Sequence, residues 1–109
     1  MNVLCIRKHK RFAVRRMVAL SAGNDLRRGL LVEVSLEGCR IGNIDSDGLA
    51  IGDVVDLRIH GFGTLKGEVR WTQPGLAGLH LVQALHIAEL DELIRLCRTG
   101  PDDQLAYGT

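Results

Sequence analysis

The chain has 109 residues, 46% apolar and 25% charged, and its 14 Lys and Arg against 13 Asp and Glu leave a net charge of +1. That is the composition of one ordinary folded domain with a core of its own, and it excludes extended disorder outside the termini. Cys5, Cys39 and Cys97 are odd in number and far apart, with no CxxC and no His at ligand spacing, so neither a disulfide framework nor a zinc site is expected.

In chain order, the first feature is charge. Residues 1 to 16 hold six Lys or Arg, with His9 and without an acid, and an anion is the obvious partner for such an end. Residues 1–11 are expected to form a flexible basic arm. The apolar stretch 1–6 precedes the positive charges, the reverse of a signal peptide, and no apolar run approaches the ~20 residues of a membrane-spanning helix. A cytoplasmic chain with reduced thiols and no membrane insertion is expected.

Period-two alternation then marks strands separated by glycine-containing turns. Residues 12–20 place Val14, Val18 and Leu20 on one face, and residues 21–25 turn the chain. Residues 26–34 form a second strand. Cys39 and Ile41 begin a third, which ends in the turn-rich stretch 42–48. Val55, Leu57 and Ile59 alternate with Asp56, Arg58 and His60. After Gly61-Phe62-Gly63, Leu65, Gly67, Val69 and Trp71 alternate with Lys66, Glu68 and Arg70, the clearest hairpin in the chain. Residues 77–82 set Leu79 and Leu81 against Gly78 and His80. Six strands at this spacing indicate a small barrel or a sandwich.

From about His86 the period becomes helical. Ile87, Leu90, Leu93, Ile94 and Cys97 make an apolar stripe, with acids early and Arg95 and Arg98 late, as the helix dipole favours. Gly100-Pro101 ends it. The domain is thus placed at 12–100, with a loose tail at 101–109.

Catalysis finds little support. The four histidines are scattered, no Ser or Cys sits in a nucleophile signature, and Gly61-Phe62-Gly63 lies between strands with no Lys-Ser/Thr after it. A binding protein is expected, with no catalytic residue, no metal and no cofactor.

Two short motifs narrow the class. Arg7 and Arg11 form RxxxR, with Lys8 after the first Arg and Phe12 after the second, and Glu33, Ser35 and Gly38 form ExSxxG at a strand boundary. Taken with Gly52-Asp53-Val54-Val55, Val69-Arg70-Trp71 and Ala77-Gly78-Leu79-His80-Leu81, the chain resembles a PilZ domain over about residues 6 to 98. The resemblance implies a mainly β fold, a six-stranded antiparallel β-barrel with a C-terminal α-helix. It also implies a ligand, the bacterial second messenger cyclic di-GMP, bound by Arg7, Lys8, Arg11, Glu33, Ser35 and Gly38, and an effector protein that reads the bound state.

The chemistry suits those residue types. Cyclic di-GMP is a double anion with two guanines, and an Arg fork can bond bidentately to guanine O6 and N7 or to phosphate oxygens. In extended chain, four residues span roughly 13 Å, so Arg7 and Arg11 reach different parts of one ligand from one side. Closure of the arm over the nucleotide would then alter a partner-binding surface. Ser35 offers a hydroxyl, Gly38 allows close approach to the backbone, and an acid at position 33 accepts from guanine N1 and N2. The family pattern has Asp or Asn where Glu33 stands, which adds a methylene and a rotor. Glu33 reads alternatively as a solvated residue or an ion-pair partner of the arm, and Trp71 reads first as barrel core and otherwise as packing near the ligand. A second function follows from the Glu33 departure, a degenerate PilZ domain acting as a protein-interaction adaptor without nucleotide. A nucleic-acid-binding barrel is disfavoured by only four aromatic residues and the near-neutral charge.

Overall fold

Alternating apolar and polar side chains bury one face of a strand and leave the other in water, and six such segments here close on themselves. The structure, a computed structural model, describes residues 10–99. They form β1 (Phe12–Ala22), β2 (Asp25–Val34), β3 (Gly38–Gly42), β4 (Val54–Ile59), β5 (Gly63–Gln73), β6 (Leu76–Leu81) and α1 (Ile87–Thr99). All pairings are antiparallel, and the strands close into a barrel in the order β1-β2-β3-β6-β5-β4. The expected mainly β barrel with a C-terminal helix is the fold, and the sandwich is excluded. Arg7, Lys8 and most of the expected arm lie outside the described residues, as does the expected tail.

Inward-facing Val18, Leu20, Leu31, Val34, Ile41, Leu57, Ile59 and Val69 fill the barrel and are almost inaccessible. Closure is made where Val18 to Ser21 of β1 pair with Ile59 to Asp56 of β4. The β5–β6 hairpin turns through Pro74 and Gly75 between the paired Gln73 and Leu76. Gly75 has φ 80°, and a turn with Pro at its second position and positive φ at its third wants this dipeptide.

Three strands carry register shifts: β1 between Ala13 and Arg16, β2 between Leu31 and Glu33, and β5 between Val69 and Trp71. An extra residue there breaks the strict in-and-out alternation and re-aims the side chains beyond it. The inward face of β1 also holds a cation: Arg16 is 2% exposed, and its Nε donates to the His60 carbonyl at 2.8 Å.

The helix packs against β1, and its Leu90, Leu93 and Cys97 are buried in the core cluster with Ile94 partly buried against it. Ile87 does not join this stripe and is 74% exposed. Periodicity assigned it to a face, but contact with the barrel begins only at Leu90, one turn further in. The first turn is fixed differently: the His86 N–H donates to Glu89 Oε1 at 2.8 Å, the return half of a capping box. No described helix is long and apolar enough to cross a membrane.

The β3–β4 connection is held from outside the barrel. Arg27 Nη1 donates to the carbonyls of Asp45 and Asp47 at 2.7 and 2.6 Å. At its far end, the Gly52 N–H donates to the Val69 carbonyl and the Val69 N–H to the Asp53 carbonyl, both at 2.8 Å, beside the β5 irregularity.

Candidate functional site

One lateral row of residues crosses five strands on the outside of the barrel. Ala13 of β1 pairs with Glu33 of β2, Glu33 with Arg40 of β3, Arg40 with Gly78 of β6, and Gly78 with Trp71 of β5. Glu33, Arg40, Gly78 and Trp71 of this row line a cleft of about 410 Å³ whose lining also includes Arg11, Ser35, Gly38, Arg70 and His80. Of the residues expected at a site, Arg11, Glu33, Ser35 and Gly38 are therefore brought together.

Trp71 is not in the barrel core. Alternation from Val69 would turn its indole inward, but the register shift between Val69 and Trp71 directs the ring to the outside. There it lies against Gly78. A Cβ on Gly78 would come within 2.2 Å of Trp71 Cε2 and Nε1, so the ring rests on bare backbone that any other residue would obstruct. A flat aromatic face at the bottom of a polar cleft is a stacking platform for a planar ligand.

Arg40 bridges the platform and the acid. Its Nη2 is 3.5 Å from Glu33 Oε1, and its guanidinium carbon is 5.8 Å from the centre of the Trp71 ring, within cation–π range. Glu33 is thus an ion-pair partner of the neighbouring strand. With Arg11 and Arg70, three guanidinium groups line the cleft against the carboxylates of Glu33 and Glu37. Arg70 is only loosely engaged, 3.9 Å from Glu68 with both side chains well exposed. Guanidinium forks beside an aromatic face can hold a ligand that combines anionic oxygens with a planar base.

Ser35 and Gly38 shape the rim. The Ser35 N–H donates to the Gly38 carbonyl at 2.8 Å, and the Gly38 N–H donates back to Ser35 Oγ at 3.2 Å, closing the turn from β2 into β3. The neighbour that comes close to Gly38 is β6: a Cβ there would stand 2.9 Å from the Leu79 carbonyl oxygen. Cys39, next along β3, is a free thiol, and burial pushes it up to about 12, so it stays protonated and unreactive in the neutral range. Among the described residues, no three His, Cys, Asp or Glu side chains gather to hold a metal.

The sequence alone does not point to Arg40, Arg70, Gly78 and His80 as lining residues, and it offers Trp71 near the ligand only as the second reading. A glycine inside an otherwise apolar strand was the available signal, since it marks close approach of another group.

The model of the PilZ domain family matches residues 6–99. The chain belongs to the PilZ domain family. Members are regulatory binding domains, and the family binds cyclic di-GMP. Among solved structures, this PilZ domain is similar to the Bacillus subtilis inhibitor of motility (MotI/DgrA), with 18% identity and a TM-score of 0.59 over 92% of this chain and 51% of the other. At that identity the likeness shows the fold alone, and the chain spans about half the length of that protein. No curated protein matches it.

Proposed function

We propose that this PilZ domain is a cytoplasmic receptor for cyclic di-GMP and that the cleft is its binding site. The observation that carries the reading is the joining of Arg11, the described member of RxxxR, with Arg40, Trp71 and Glu33 around one opening. In this reading Arg11, with Arg7 and Lys8 of the same arm, engages phosphate and guanine edges, while Trp71 stacks on a base. Glu33 accepts from guanine N1 and N2. Ser35 and Gly38 act by setting the rim from which the arm approaches. Arm closure over the nucleotide then changes the surface offered to an effector protein, and no cofactor is needed.

Calorimetry with cyclic di-GMP tests this. Wild type should bind, and Arg11→Ala should bind about ten- to a hundredfold more weakly, the worth of one or two charge-assisted hydrogen bonds. Its melting temperature should not move, because Arg11 is exposed and precedes β1. Absence of binding by wild type at millimolar nucleotide would refute the receptor reading. The adaptor reading would then replace it, and one observation favours that alternative: Arg40 stands 3.5 Å from the Glu33 carboxylate and competes with a base for it.

A further inference from the structure

Glu33 and Arg40 hold each other incompletely. Their closest approach of 3.5 Å exceeds the roughly 2.7–2.9 Å of a charge-assisted hydrogen bond. Arg40 Nε is buried and has no hydrogen-bond partner among the described residues. A guanidinium presents its N–H groups as a planar fork matched to two acceptors at once. Here that fork meets a single carboxylate oxygen at long range and the face of an indole. The protein thus supplies its own stand-in for a ligand acceptor, and a poor one.

We propose that Glu33 competes with the ligand for Arg40, so that an exchange of ion-pair partners sets the affinity of the cleft. The proposal rests on the cyclic di-GMP reading. On binding, a guanine edge or a phosphate takes the Arg40 fork bidentately, and the Glu33 carboxylate is released toward solvent or toward the guanine N1 and N2 donors. Release is feasible because the Glu33 side chain is already 29% exposed and its register partner on the other flank is the small Ala13. The length of Glu33 matters for this role, since the extra methylene lets its carboxylate reach across to β3. An acid at this position therefore does two opposed things: it offers an acceptor to the base, and it occupies the cation that the base or phosphate needs.

Glu33→Gln separates the two, because the amide keeps the length and an acceptor oxygen but loses the charge that holds Arg40. Cyclic di-GMP titrations at one fixed ionic strength should show Glu33→Gln binding roughly two- to fivefold tighter than wild type, the range of exposed ion pairs. Arg40→Ala should bind more weakly, and adding Glu33→Gln to it should bring no gain. Equal or weaker binding by Glu33→Gln, with wild type binding, overturns the competition and leaves the receptor reading standing. A gain that persists without Arg40 overturns it too. If none of the four proteins binds, the receptor reading falls and the proposal falls with it. The chain's single tryptophan gives a second readout in the free protein. Emission from Trp71 should differ between wild type and Glu33→Gln as Arg40 changes its position over the ring, and identical spectra would count against the pair.

Discussion

Two arginines on neighbouring strands show how the same side chain can serve the fold or the site. Arg27 on β2 is 12% exposed and fixes two backbone carbonyls at 2.6 and 2.7 Å, with the Asp25 carboxylate 3.4 Å away. Arg40 on β3 is 41% exposed and has one carboxylate at 3.5 Å and an aromatic face. Each leaves a buried Nε without a partner among the described residues. The difference lies in what holds the fork. Carbonyls belong to the chain and cannot turn away, so Arg27 locks the β3–β4 connection to the barrel. A carboxylate on a flexible stem can let go, which leaves Arg40 open to exchange.

The contrast predicts opposite signatures. Arg27→Ala should lose about 2–3 kcal/mol of unfolding free energy in a denaturant titration, as expected for charge-assisted bonds left unmade, while nucleotide affinity stays within about twofold of wild type. Arg40→Ala should do the reverse, with stability changed by no more than about 0.5 kcal/mol, as for an exposed pair. If Arg27→Ala lost affinity and kept its stability, the division between the two would be wrong. Gly78→Ala is the next largest change. Its Cβ would collide with the indole at 2.2 Å, so the ring must leave its seat, at an overpacking cost of about 1–3 kcal/mol. Affinity should drop about tenfold with a visible change in Trp71 emission, and unchanged emission would show that the indole does not depend on the bare backbone. Glu33→Asp should give the smallest effect, a tightening of about two- to fivefold, because a shorter acid draws back from Arg40 while still offering an acceptor. Weaker binding by this variant would mean that Glu33 already meets the base at its full length.

The strands were legible because alternation reports which face of a segment seeks the core, and all six appear where the pattern places them. What alternation does not carry is register. A bulge adds one residue and reverses every later side chain relative to the core, and nothing in the pattern 65–71 announces one; hence Trp71 reads as core and stands outside. Arg16 was hidden for a related reason, since a cation on the inward face of a strand contradicts the pattern and is stabilised by a partner 44 residues away, the His60 carbonyl. At the cleft, Arg11, Glu33, Ser35 and Gly38 of the two motifs lie along one lining. Arg40, Gly78 and Trp71 join them only through strand neighbours remote in sequence. Ile87 marks the same limit in the helix, where a period gives direction but not the extent of the surface underneath.

The closure of the barrel is uneven, and that bears on self-association. β1 pairs with β4 only from Val18 to Ser21, so the first half of β1 has β2 on one side and no strand on the other among the described residues. An open edge of this kind can template a strand from another molecule. Here it carries a register shift between Ala13 and Arg16, a charged side chain turned inward at Arg16, and α1 packed alongside. A bulge disrupts the hydrogen-bond ladder, an inward cation penalises a slipped register, and α1 packs on the same strand. The segment that leads from the basic arm into the barrel is thereby kept from fibril-like growth while its Arg11 end stays exposed at the cleft.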